Sequence, residues 1–532
     1  MAQLVTIDPV TRIEGHLRID VEVEDGVVKD AWSSGTMFRG FEMLLKGKHP
    51  WDAQQVTERI CGVCPLVHGT AASYNLDDAM GVDLPDNARL IRNLALGANF
   101  IQSHILHFYT LAALDYVDVT AVLKYSGSDP ALLALKNKIS ALAEAKDLYP
   151  FLPRYASDDY ISDPELATIL VGHYVQALEA RKKAQEMLSI YYGRMPSFVG
   201  TVPGGVTAHP TLSNIADFRA RLAELRFWID NVYVQDIVTI AGVPAYAIFM
   251  TAGDSGGNYL AYGGFDEDSS GSKKFLPSGY ITGNNIASVK NFDETQIEEY
   301  VNHSWYTEDC GPLNPKEGKT DPDLEKKDAY SFIKAPRYDS EHMEVGPMAR
   351  MLVAAGLELS GKRPEKLMTL IKALGLESTI NDLVAAGKFG ILPRHAMRAL
   401  ECKLIADEMD VWLDQLTEGV GDKIWDKKDI PGEAYGRGLV EGPRGALGHW
   451  IHIKGKKIDN YQCVVPTTWN ASPRDKEGTR GPIETALLGI PVPDVDNPIN
   501  AVRCVRSFDP CLACAIHVIH PEHNGVKEFR VV

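Results

Sequence analysis

Two pairs of cysteines in C-x-x-C spacing stand near opposite ends of this chain: Cys61 and Cys64 in RICGVCPLVHG, and Cys511 and Cys514 in DPCLACAIH. The short spacing lets two thiolates converge on one ion, because the turn between them brings both sulfurs within bonding reach. If both pairs serve one site, the two ends of the chain must meet in the interior. Closing so long a loop is tolerable, since its entropic cost grows only with the logarithm of its length. A four-thiolate metal site is the leading expectation. Its metal stays open on spacing alone, because thiolates hold zinc, iron-sulfur clusters, or nickel and iron. A zinc ribbon, however, usually draws its ligands from one compact module.

The remaining cysteines do not change this reading. Eight in 532 residues are too few and too scattered for a disulfide-stapled scaffold. Cys310, Cys402 and Cys504 read as small core hydrophobes. A net charge of −17 argues against a nucleic-acid partner, which needs clustered Lys and Arg to replace phosphate counterions. The start, MAQLVTIDPVTRIEGH, has no basic segment followed by an apolar one, so no signal peptide is expected. No run of about 18 apolar residues suggests a transmembrane segment. The chain reads as soluble.

Periodicity outlines the fold. Leu17, Ile19, Val21 and Val23 alternate with polar residues up to Asp25-Gly26, predicting a hairpin with a tight turn. Helical spacing of apolar residues runs from Arg89 to about Asp115, and again over roughly 164–192, 212–240 and 394–416. Between about Thr251 and Asp339 the composition turns to Gly, Asp, Ser, Asn and Lys, predicting a loop-rich excursion with short strands. HWIHIKGKKIDNYQCVV, from His449, reads as another hairpin, and Gly481 to Gly489 as a short helix. The expected fold is α+β and predominantly α, a long-helix core with small peripheral sheets and hairpins. The metal site is expected buried between the two C-x-x-C motifs.

Around the cysteines lie further motifs: TRIEGH (Thr11 to His16), MFRGFE (Met37 to Glu42), EGPRGALGHW (Glu441 to Trp450), VVPTTWNASPRD (Val464 to Asp475) and RGPIE (Arg480 to Glu484). With RICGVCPLVHG and DPCLACAIH, in this order and over essentially the whole chain, they resemble the large, catalytic subunit of nickel-iron hydrogenases of the uptake type. The resemblance implies reversible heterolytic cleavage of dihydrogen into protons and electrons at a binuclear nickel-iron centre. By that similarity Cys61 and Cys511 bind nickel terminally. Cys64 and Cys514 bridge it to an iron carrying cyanide and carbon monoxide. Arg444 is expected above the metals, held by a charge-assisted hydrogen bond that it donates to Asp509. A guanidinium is very hard to deprotonate, so Cys511 is the expected first proton acceptor and Glu14 the next carrier. An ordinary salt bridge from Glu14 to Arg12, or a helix cap, is the alternative. Pro466 and Thr467 match positions near the cyanide ligands, and His68 is expected beside the bridging thiolates.

In NFIQSHILHFYTL the family often has an acidic residue where this chain has Ser103. Selenium-containing relatives also tend to have serine there, but they carry selenocysteine at the position of Cys511. The family further implies a magnesium or second iron near the end of the chain, with Glu42, His517 and the main-chain carbonyl of Cys463 as ligands. Residues 1–517 would form a single catalytic domain. Residues 518–532 would be a maturation peptide, removed after metal insertion by a dedicated protease that works with metal-insertion factors, or else a terminal strand that stays attached. No further set of four cysteines exists for an electron relay, so a separate iron-sulfur small subunit is implied. A periplasmic or membrane-associated location through that subunit is expected, with the cytoplasm possible. Two rival readings stand beside this one: a non-catalytic structural or quinone-binding relative, as in respiratory complex I, and a zinc-stabilised binding module.

Overall fold

Long helices occupy the middle of the fold, at Asp86–Leu106, Pro164–Tyr192, Leu212–Trp228 and Ile391–Glu418. A computed structural model of the chain describes residues 2–515, with the side chains of residues 514 and 515 outside that description. The expectations for His517 and for residues 518–532 therefore lie outside the described residues, as does the side chain of Cys514. Helix accounts for 46% of the structure, so the predominantly α expectation holds. Among the described residues no single helix is long and apolar enough to cross a membrane.

Local chemistry explains the helix ends. Asp163 accepts a hydrogen bond from the Leu166 amide, and Pro164 opens the first turn, where its missing N–H costs nothing. Thr211 caps Leu212–Trp228 by accepting from the Asn214 amide. The helix expected over Arg89 to Asp115 is shorter in its regular part. It runs over Asp86–Leu106, widens into a π turn at His107–Ala112 and ends in a 3-10 turn at Ala113–Asp115. Such widened turns cluster at functional sites. Periodicity could not reveal this one, because a π turn shifts the register by a single residue.

Two three-stranded antiparallel sheets flank the helices. The first joins Gln3–Ile7, Leu17–Glu24 and Val27–Gly35, with Asp25 and Gly26 both at positive φ in the predicted tight turn. The second joins Glu433–Gly442, Gly445–Lys454 and Lys457–Val464. Its first strand escaped sequence reading because glycines interrupt the apolar pattern. Packing requires them: a Cβ at Gly438 would lie 2.0 Å from the Ala71 carbonyl oxygen, and one at Gly436 1.9 Å from that of Asn75. The helix Pro65–Met80 thus rests directly on this strand. The excursion of residues 251–339 holds short paired strands, as expected. It is not a surface loop, however, since Tyr259, Leu260 and Ala261 are fully buried. One apolar core draws side chains from Val5 to Leu512.

Candidate metal centre

The two ends of the chain meet at the cysteines. The sulfurs of Cys61, Cys64 and Cys511 lie within 4.8 Å of one another and are buried, with 3.3 Å between those of Cys61 and Cys511. Cys61 follows the short 3-10 turn Glu58–Ile60, and Cys64 caps the helix Pro65–Met80. The Cys61 sulfur accepts from the amides of Val63 at 3.3 Å and Cys64 at 3.1 Å, an arrangement that favours its thiolate. The backbone of Cys514 belongs to the last turn, Leu512–Ala515.

TRIEGH is what seats the second pair. Glu14 and Cys511 form a parallel bridge, in which the Leu512 amide donates to the Glu14 carbonyl at 2.7 Å. The Glu14 carboxylate accepts from the Ala513 amide at 2.9 Å and from the Cys511 thiol at 3.2 Å. Gly15, at φ +81°, leaves room for this approach, since a Cβ there would meet the Ala513 nitrogen at 2.6 Å. Arg39, in MFRGFE, ties both cysteine loops together by donating to the carbonyls of Arg59, Ile60 and Ala513. The salt bridge from Glu14 to Arg12 does not form, because Arg12 pairs with Asp115.

The fold brings Arg444 and Asp509 together. Their side chains form an ion pair at 2.9 Å, and the Arg444 Nε donates to the Asp509 carbonyl at 3.0 Å. Asp509 sits at φ +56°, a left-handed conformation that Asp tolerates better than most residues. The Thr467 hydroxyl oxygen accepts from the Cys511 amide at 2.9 Å, and Pro466 opens the short helix Pro466–Asn470. Burial opposes the Arg444 charge, but Asp509 and the three cysteine sulfurs outweigh it and raise its pKa well above the usual value. Burial also raises the Glu14 pKa, helped by Cys61 and opposed by the Cys511 thiol, the Ala513 amide and Arg444. His68 is driven down to about 4, first by burial, so its ring is neutral near neutral pH. Its Nδ1 lies 3.2 Å from Nε2 of His449.

A second polar cluster surrounds Glu42. Its carboxylate accepts from the Cys463 amide at 2.8 Å and from the Thr320 hydroxyl. Lys334 lies nearby, bonded to Glu299 and Gln462 at 3.3 Å each. Burial opposes the ammonium charge, yet Glu299 and Glu42 raise the Lys334 pKa on balance. Of the expected second-metal ligands, Glu42 and the Cys463 backbone are thus adjacent. Sequence reasoning missed Arg39, His449, Thr320, Glu299 and Lys334. Arg39 and His449 lay inside quoted motifs, whereas the other three sit in the irregular excursion, where no pattern marks them.

Buried soft sulfur donors near a guanidinium suit nickel with iron. Comparison with known families decides the matter, for the nickel-dependent hydrogenase family model matches residues 39–517. The chain belongs to the nickel-dependent hydrogenase large-subunit family. A HoxL-like model also matches residues 4–34. This hydrogenase large subunit is an oxidoreductase that cleaves dihydrogen at a nickel-iron centre, as one half of a heterodimer with a small subunit. It is 43% identical to the periplasmic NiFeSe hydrogenase large subunit of Desulfomicrobium baculatum, over 97% of this chain and 95% of that one. It is 36% identical to the hydrogenase-2 large chain of Escherichia coli K12, with full coverage of both. The reduced Ni-Fe-Se hydrogenase structure from D. vulgaris Hildenborough superposes with a TM-score of 0.84 at 40% identity, over 97% of this chain and 100% of that one. The hydrogenase family disfavours the zinc-module and quinone-binding readings.

Proposed function

We propose that Cys61 and Cys511 hold nickel terminally and that Cys64 and Cys514 bridge it to an iron carrying cyanide and carbon monoxide. When bound, this centre supplies the electron-accepting site at which dihydrogen is polarised and cleaved. The observation that carries the residue assignment is the 3.2 Å contact between the Cys511 sulfur and the Glu14 carboxylate. Cys511 takes the first proton and Glu14 carries it onward, because a carboxyl can both accept and release a proton. Arg444 holds a fixed positive charge over the sulfurs, and Asp509 orients it through the paired contacts at 2.9 and 3.0 Å. Thr467 positions the Cys511 backbone and keeps its own hydroxyl proton for a cyanide nitrogen, next to Pro466. His68 donates toward the bridging thiolates.

Glu42, the Cys463 carbonyl and His517 hold magnesium or a second iron, a role supported by the oxygen-rich surroundings of Glu42. Electrons leave through an iron-sulfur small subunit. Residues 1–517 form the mature catalytic domain, and residues 518–532 are removed by a maturation protease once insertion factors have delivered the metals. The periplasmic relative from D. baculatum supports a periplasmic or membrane-associated location, reached with the small subunit. The test is metal analysis with infrared spectroscopy on the mature protein, co-expressed with its small subunit and maturation factors. About one nickel per chain, with iron-bound cyanide and carbon monoxide bands, is expected. Zinc alone, without those bands, overturns the assignment.

A further inference from the structure

We propose that Asn75, Tyr461 and His449 form a directed hydrogen-bond chain that fixes His68 as the tautomer protonated at Nε2, so that it donates into the cysteine cluster. The inference deepens the reading above and rests on it for the metal ligands, but the chain itself is built entirely of described residues.

The direction can be worked out from the far end. Asn75, fully buried on the helix Pro65–Met80, donates from Nδ2 to the Tyr461 hydroxyl oxygen at 3.0 Å. A phenol has one proton. With its oxygen accepting from Asn75, that proton goes to the other neighbour, His449 Nδ1, at 2.8 Å. His449 Nδ1 is then an acceptor, and a neutral imidazole carries its single proton on the other nitrogen. That nitrogen, Nε2, faces His68 Nδ1 at 3.2 Å. His68 Nδ1 therefore accepts, and its own proton is left at Nε2.

The two groups at the remote end stay neutral through burial, which drives the pKa of His449 well below the usual histidine value and lifts Tyr461 well above the usual tyrosine value. At His68 the geometry suffices, since a proton on its Nδ1 would point at the one already on His449 Nε2.

The near end selects the same direction. His68 lies one helical turn beyond Cys64, and the Cys61 sulfur exerts the largest charge effect on it. With Nδ1 committed to His449, Nε2 is the nitrogen left for the cluster. A thiolate accepts a hydrogen bond and repels a lone pair. Running the chain backwards would turn the Asn75 oxygen to Tyr461, leaving two buried N–H donors unpaired in place of the one carbonyl oxygen that is unpaired now, and would present the His68 lone pair to the sulfurs. Successive donors also polarise one another, so donation into Nδ1 strengthens the Nε2 donor. Such partners commonly tune the ligands of a metal they never touch. Asn75, Tyr461 and His449 are accordingly positioning residues.

Neutron diffraction from the deuterated, assembled holoenzyme reads the chain directly. Deuterons on His449 Nε2 and His68 Nε2, with the Tyr461 deuteron toward His449, are the expected result. A deuteron on His68 Nδ1 overturns the proposal. In solution, His449→Leu removes the donor to His68, weakens its bond to sulfur and moves the iron-bound carbon monoxide band to lower wavenumber. His449→Gln, whose amide can still donate, restores the band. Bands present but identical in wild type and His449→Leu count against the chain. Absence of nickel and of every such band in the wild type instead overturns the metal assignment, which separates the two failures.

Discussion

Glu14 and Cys511 are 497 positions apart in sequence, yet the thiol of one donates to the carboxylate of the other at 3.2 Å. Their backbones also pair, through the Leu512 amide and the Glu14 carbonyl. The proposed proton relay and the structural clasp would therefore share one residue, and the two roles can be separated by experiment.

Glu14→Gln keeps an oxygen for the Ala513 amide but cannot carry a proton. Hydrogen uptake should fall by about 10²- to 10⁴-fold, with nickel content and infrared bands retained. Unimpaired uptake would remove Glu14 from the proton path.

Arg444→Lys preserves the charge but loses the forked geometry that engages Asp509 twice. Turnover should drop by roughly 10²- to 10³-fold, while metal analysis stays near the wild-type value. A Lys variant of full activity would mean that charge alone suffices.

Gly15→Ala tests the clasp. The residue sits at φ +81° and its Cβ would press on Ala513, so the variant should lose on the order of 1–3 kcal/mol of stability. A lower melting temperature together with reduced nickel incorporation is expected. An unchanged melting temperature would show that the two ends can part without cost.

Glu484 gives a pH signature remote from the cysteines. Burial raises its pKa to about 7, against hydrogen bonds from the Ser33 amide and Tyr330 hydroxyl that pull it down. Because the folded value exceeds the unfolded one, its stabilising contribution is complete below about pH 4.5 and is lost as the pH rises through about 7. The effect amounts to roughly 3 kcal/mol. Glu484→Gln should therefore gain stability relative to wild type across that interval, as followed by melting temperature against pH. Parallel profiles would refute the shift.

Much of the helical layout was visible in one dimension. The Pro164–Tyr192 helix announces itself by its Asp163-Pro164 start and its apolar spacing, and Leu17–Glu24 by strict alternation. Both signals are local, arising from hydrogen bonds and side-chain periods within a few residues. The strand Glu433–Gly442 was not legible, because its glycines answer to a helix hundreds of positions earlier in the chain.

The candidate site divides in the same way. Cysteine spacing and the order of the motifs pointed to a thiolate metal site and to the hydrogenase family, since the chemistry of a ligand set is carried by residue type. Which groups touch was decided only by the closed fold. Arg12 turned to Asp115 and left Glu14 for Cys511. Arg39 bridged two loops through backbone carbonyls, which leave no trace in side-chain pattern. The line from Asn75 to His68 depends on the helix Pro65–Met80 lying against the Glu433–Val464 sheet. Residue identity sets which bonds a group is able to make. The burial that excludes water, and so makes each of those bonds obligatory, exists only once distant segments have packed.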